Sequence, residues 1–158
     1  MEKHNTFNYS TDYLDVVSHA GLFTYHHAEK IVQPDDMILG IYLYTKKFEF
    51  FEVFRSFLGC KRPHFLQQVI DARYPQLAQM TQPVRLQLQL DDVFQHKQNF
   101  LKEQQITKLN FLILFETALD HMSEELTDMF VAEQVNIEHM KKRLAKAIEM
   151  TVKGEVPV

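Results

Sequence analysis

Residues 111–135 read FLILFETALDHMSEELTDMFVAEQV, and the way this stretch divides decides the fold. Leu112 and Leu119, then Leu126 and Phe130, keep the 3–4 spacing of an amphipathic helix. The spacing continues outward, through Leu90, Phe94 and Leu101 on one side and Ile137, Met140, Leu144 and Ile148 on the other. No glycine or proline occurs from Val84 to Lys153. One helix over about 60 of these residues would be roughly 90 Å long at 1.5 Å per residue. A compact chain of this length has a radius of gyration of only about 15 Å, so the helix must fold back. The sequence DHMSEE offers the reversal: Ser123 can cap a new helix, with Glu124 and Glu125 in its first turn against the positive end of the dipole. The expectation is a long antiparallel hairpin of two helices of about 28 residues each. As a plain cap, Ser123→Gly would cost a few tenths of a kcal/mol, whereas Leu126→Pro would unfold the last helix.

Upstream, Ser10 or Thr11 can cap a first helix, and Leu14, Val17, Gly21, Ala28 and Ile31 recur at helical spacing up to Pro34, where that helix is expected to end. Asp35 and Asp36 open a second segment, MILGIYLYTKKFEFFEVFRSFLG. In it Thr45, Glu49, Glu52 and Ser56 draw one narrow polar stripe and nearly everything else is apolar. That pattern predicts a largely buried central helix ending near Gly59. Pro63 suits the first turn of a third helix holding Phe65, Leu66, Val69 and Ile70, interrupted at Pro75. Val84, Leu86, Leu88 and Leu90 alternate at the period of a strand, yet the chain offers no strong second strand to pair with it. An extended connector laid over the helices is expected, with an α+β fold as the alternative. The expected class is therefore all-α: about five helices in one compact bundle over residues 1–158, without internal repeats, and with residues 1–9 and 153–158 as flexible tails.

Composition narrows the function. At 158 residues the chain has room for one domain, and 46% hydrophobic content supplies a core without staples. A formal charge of −4 argues against non-specific nucleic-acid binding. The amino terminus, MEKHNTFNYS, lacks the apolar stretch of a secretory signal. The longest nearly apolar run, Met37 to Tyr44, is too short to span a bilayer. A single cysteine, Cys60, cannot form an internal disulfide, so a cytoplasmic location is expected. The glycines at 21, 40, 59 and 154 build neither a phosphate loop nor a dinucleotide fingerprint, and no G-x-S-x-G elbow occurs. Lys61, Arg62 and His64 near Cys60 would favour a thiolate nucleophile, but a small residue at a helix end is the simpler reading.

Histidines and carboxylates carry what metal chemistry can be read. His19 and His26 share a helix face with Asp12, Asp15 and Lys30, which reads as a wet face. Asp15 with His19, and His121 with Glu125, have i, i+4 spacing, which suits an exposed ion pair better than a metal. With a reversal near His121, Glu103 and His139 come to about the same height on facing helices. Glu133 falls on the apolar stripe between Phe130 and Ile137, where a carboxylate is costly unless paired or protonated. Glu116 interrupts the stripe near Leu112 and Leu119 in the same way.

The stretches LDDVFQ from Leu90, KEQQIT with Glu103, and FVAEQV from Phe130 resemble, in that order, parts of the last two long helices of ferritins. The resemblance implies an iron site with Glu103 as a ligand and Glu133, Gln134 and His139 close by. Ferritin-type centres use an E-x-x-H element, and this chain has none; Asn136 stands where that glutamate would precede His139. LILFETALD is similar to a late helix of truncated haemoglobins, which would make His96 a haem ligand. YPQL and the spacing L-x-x-M-x-E-x-L-x-x-x-F-V-x-E are similar to bacterial anti-sigma regulators. Three incompatible families meeting in one region share only the pattern of an amphipathic helix, and none is carried across.

Two classes of function follow. The first is a non-enzymatic helical bundle that works by binding another protein, or a second copy of itself as a homodimer, as a regulator, adaptor or effector. Lys142, Arg143 and Lys146 on the last helix would dock an acidic partner, and Tyr25 and His26 on the first helix offer an exposed aromatic surface. The second is a bundle holding iron at Glu103, Glu133 and His139, or haem at His96.

Overall fold

Four helices begin the same way, with two residues of paired extended chain, one capping residue and then the first turn. The computed structural model describes residues 8–26, 31–47, 65–76, 89–106 and 108–153. The element order is β1 (Asn8–Tyr9), α1 (Thr11–His26), β2 (Ile31–Val32), α2 (Pro34–Lys47), α3 (Phe65–Arg73), β3 (Gln89–Leu90), α4 (Asp92–Glu103), β4 (Lys108–Leu109), α5 (Phe111–Asp120), α6 (Glu124–Ala132) and α7 (Ile137–Lys153). The protein is mostly helical, as the spacing of its apolar residues implies.

The strands are short parallel bridges, and their pairing is reciprocal. Tyr9 sits opposite Leu109, and Val32 opposite Leu90. One residue further on, Ser10 N–H donates to the Leu109 carbonyl and Asp91 N–H to the Val32 carbonyl, each at 2.9 Å. The segment leading into α1 therefore lies beside the one leading into α5, and the segment leading into α2 beside the one leading into α4. A β-α-β-α unit occurs twice in the connectivity, although the sequence shows no repeat. The described end of the alternating stretch, Gln89–Leu90, thus finds its partner in Ile31–Val32, part of a segment read above as helical. Asn8 and Tyr9, expected in a flexible tail, are also paired.

Pro34 opens a helix rather than closing one. It is the first residue of α2, where its missing N–H is no loss, and α1 ends at His26. Asp36, two residues on and buried, accepts from the Gln33 N–H at 3.1 Å and from Thr24 Oγ1 at 2.9 Å. It thereby caps α2 and ties it to α1. These helices approach closely at Gly40, where an added Cβ would lie 2.6 Å from the Ala20 backbone nitrogen. Met37, Ile38, Leu39, Ile41 and Tyr42 are fully buried on α2, as expected of a central helix. Thr45, taken as the start of its polar stripe, is buried as well and donates to the Tyr42 carbonyl at 3.0 Å. A second central helix is α5, which buries Phe111 through Phe115 and packs against α1, α2, α4 and α7. Phe65, Leu66, Val69 and Ile70 of α3 are buried as the spacing predicts, and α3 stops at Arg73 ahead of Pro75.

The long hairpin is not formed. Four helices, α4 to α7, occupy residues 92–153 instead of two. Ser123 does cap a helix, its Oγ accepting from Leu126 N–H at 3.2 Å with Glu124 and Glu125 in the first turn. The unexpected breaks fall at KEQQIT and FVAEQV. Ile106 N–H reaches back to the Leu101 carbonyl and Gln105 N–H to that of Lys102, each at 2.9 Å. Val135 repeats the first bond to Phe130 at 3.0 Å, and Gln134 the second to Val131 at 2.9 Å. These are two Schellman terminations, each with a glutamine at φ 64° in the position that usually holds glycine. Each is followed by an apolar residue that packs on the core, Val135 buried and Ile106 partly buried. Leu126→Pro would therefore disrupt α6, since α7 is a separate helix with its own cap, Asn136, whose Oδ1 accepts from His139 N–H at 3.0 Å.

Among the described residues no helix is long and apolar enough to cross a membrane. Lys153, expected in the other tail, is the last residue of α7, and the expectations resting on Phe48 to Gly59, Cys60, Pro63, Leu77 to Leu88, and residues 1–7 and 154–158 lie outside the described residues.

Candidate functional site

Three helices each turn one face toward a shared cleft of about 430 Å³. From α4 come Val93, His96, Lys97 and Phe100, spaced i, i+3, i+4 and i+7, the single face of a helix. The second half of α5 and its cap supply Glu116, Thr117, Asp120 and His121. One turn of α7 adds Lys141, Lys142 and Ala145. The helices are held in this arrangement by their buried faces, Phe94 and Leu101 on α4, Phe115 and Leu119 on α5, and Met140 and Leu144 on α7.

Ion pairs tie α5 to both of its neighbours across the cleft. Lys97 Nζ lies 3.1 Å from Glu116 Oε1 and 5.8 Å from the centroid of the Phe100 ring. Lys141 Nζ lies 2.7 Å from Asp120 Oδ1 and 3.1 Å from Glu138 Oε2. The hydrogen bond from Lys141 holds the Asp120 carboxyl below its ordinary value, against the opposing pull of burial. The same bond raises the Lys141 ammonium above its own. Lys142 is exposed and makes no ion pair or hydrogen bond among the described residues. Phe100 is 48% exposed, unusual for a ring that lines a concavity.

The candidate residues named from sequence are dispersed, with two exceptions. His96 and Lys142 both line the cleft. Glu103 ends α4 and is exposed; Glu133 is the half-buried C-cap of α6; His139 is exposed in the first turn of α7. Glu133 leaves the apolar stripe because α6 ends there. Among the described residues no three histidine, cysteine or acidic side chains form a group that could hold a metal ion. Arg143 and Lys146 are exposed on α7 outside the cleft lining, Tyr25 is 50% exposed on α1, and His26 is the last residue of that helix. Glu116 meets its cost through Lys97.

His19 corrects the reading of a wet face on α1. It is buried, its Nδ1 2.7 Å from the Asp15 carbonyl oxygen and its ring edge-on to Tyr44 at 5.8 Å. It thus engages the backbone of Asp15 rather than forming the exposed side-chain pair anticipated. Glu125 pairs with Arg73 and not with His121.

Sequence reading missed Phe100 and Val93 as site residues. The signal was present in V-x-x-H-K-x-x-F, a mixed apolar and cationic face at helical spacing, but it takes the neighbouring helices to make that face a wall. Compared with protein-family models, with curated proteins and with solved structures, the chain matches none.

Proposed function

We propose that this protein works by binding another protein through the cleft between α4, α5 and α7, as a regulator or adaptor without catalysis of its own. The observation that carries this reading is Phe100, half exposed on the wall of a cleft whose rim is charged. Full burial of a phenylalanine is worth about 1.5–3 kcal/mol, so covering the exposed half returns on the order of 1 kcal/mol. Exposed aromatic anchors inside polar rims are the usual centres of protein interfaces. Lys142, exposed beside it, supplies a cation free to meet a partner's charge.

Site-specific photo-crosslinking in the source cell tests the reading. A benzophenone side chain at position 100 should capture a discrete protein, which Lys142→Glu abolishes. The same probe at Val131, which is 61% exposed on α6, should not capture it. An adduct of twice the chain's mass would identify the partner as a second copy. No adduct at position 100, or the same adducts at both positions, would overturn the proposal.

A further inference from the structure

The three lysines of the cleft stand in different electrostatic states. Lys97 is matched by Glu116 at 3.1 Å, and Lys141 by Asp120 at 2.7 Å and Glu138 at 3.1 Å. Those two cations are satisfied within the fold. Lys142 is not: it lines the same cleft with no charged partner among the described residues. The cleft therefore offers one uncompensated ammonium next to an apolar wall made by Val93 and Phe100.

Resting on the docking reading above, we propose that the group this cleft accepts is a carboxylate joined to an aromatic or aliphatic side chain, presented by an acidic peptide segment of the partner. The carboxylate goes to Lys142 and the apolar group covers Phe100. Charge complementarity selects this chemistry over its rivals. A nucleic-acid backbone brings a row of phosphates, and in this cleft it would meet the Glu116 and Asp120 carboxylates as well as the lysines. The cleft lining carries three lysines against the carboxylates of Glu116 and Asp120, and that excess of one positive charge suits one negative charge. A volume of about 430 Å³ holds a few side chains, the size of a peptide anchor rather than a duplex. Lysine also acts as a point charge, without the bidentate fork by which arginine selects phosphate.

Three small probes, followed by amide chemical shifts of the full chain, test this. 3-Phenylpropanoate carries both required groups, 3-phenylpropanamide lacks the charge, and inorganic phosphate lacks the apolar group. The propanoate should shift amides of α4 and α7 around Val93, Phe100 and Lys142. The amide should bind about tenfold more weakly, the loss expected when a charge-assisted hydrogen bond goes unmade. Phosphate should leave these amides unmoved. Lys142→Gln should bring the propanoate down to the level of the amide, and Lys142→Arg should retain it. Acetyl-Glu-Phe-amide and acetyl-Gln-Phe acid then tell a side-chain carboxylate from a chain-end one, since either can supply the charge. Equal binding of acid and amide, phosphate shifting the same residues as strongly, or no effect of Lys142→Gln would each overturn the proposal. A partner still crosslinked at position 100 in any of those cases would leave the docking reading standing and remove only the carboxylate.

Discussion

Asp35 and Ser123 lie 88 positions apart, and the one carboxylate takes both protons the serine can give. Ser123 N–H donates to Oδ1 at 2.8 Å and its hydroxyl to Oδ2 at 2.6 Å, while the same hydroxyl oxygen accepts from Leu126 N–H at 3.2 Å. In a capping box the residue at the third helical position returns a bond to the cap's own N–H. Leu126 occupies that position in α6 and cannot do so; Asp35, from the first turn of α2, does it from across the fold. Arg73 at the end of α3 stands 3.9 Å from the same carboxylate and pairs with Glu125. Three helix ends meet at this point.

Ser123 is consequently more than a cap. Ser123→Gly should cost about 1–2 kcal/mol instead of a few tenths, because it removes a bond to a charged group as well as the cap. In urea denaturation, Asp35→Ala and Ser123→Ala should each destabilise, and the double variant should fall short of their sum by about 1 kcal/mol. Strict additivity would show that the two side chains do not act together.

Gly40 fixes how closely α1 and α2 approach. An added Cβ would sit 2.6 Å from Ala20 N, 2.7 Å from its Cα and 2.8 Å from its Cβ. Two of those atoms are backbone and cannot rotate away, so the helices must separate. Gly40→Ala should cost about 1–3 kcal/mol by overpacking, even though alanine favours helix. Adding Ala20→Gly removes only the side-chain contact and should recover little of the thermal stability.

How far the fold could be read from the chain is clearest where helices end. The Ser123 break was legible because Ser-x-x and two glutamates are a local signal, satisfied within one turn. The breaks after Glu103 and Glu133 were not, because the residues in left-handed geometry are Gln105 and Gln134. Glutamine gains nothing there; the residues after the turns, Val135 buried in the core and Ile106 partly buried against it, supply a tertiary gain that local propensity does not register. The same holds for His19, whose burial depends on α2 lying over it. At the site, His96, Glu116 and Lys142 stood out singly, but only the crossing of three helices makes them neighbours.

Replacing those glutamines tests the account of the breaks. Left-handed geometry costs a residue with a Cβ roughly 1–2 kcal/mol, and glycine escapes it at the expense of about 0.5–1 kcal/mol of unfolded-state entropy. Gln105→Gly and Gln134→Gly should each stabilise by about 0.5 kcal/mol in urea, additively, since the sites lie on different helices. Gln134→Val should destabilise, as a β-branched residue tolerates positive φ poorly.

Stability against pH should report two sets of groups with opposite signs. The Asp120 carboxyl is lowered from 3.8 in the folded protein, first by its hydrogen bond from Lys141, so its contribution is present above that value and lost as acid protonates it. The Lys141 ammonium is raised above 10.5 by the same bond, so its contribution is present below 10.5 and lost as alkali removes the proton. Both groups are partly exposed, and the pair is worth only about 0.5 kcal/mol. Burial, aided by Asp71 for Tyr42 and Asp36 for Tyr74, pushes those phenols from 10.0 to about 12. Their contribution is intact below pH 10.0 and is lost as pH climbs toward 12. The stability curve should therefore be shallow where Asp120 titrates and steep between pH 10 and 12, with tyrosinate absorbance rising together with loss of helix. Asp120→Asn should remove the small acid-side difference and the small Lys141 contribution, and leave in place the larger alkaline limb set by Tyr42 and Tyr74. A tyrosinate signal at pH 10 that falls on Tyr42→Phe or Tyr74→Phe, in protein that keeps its helical signal, would mean that those phenols are open to water.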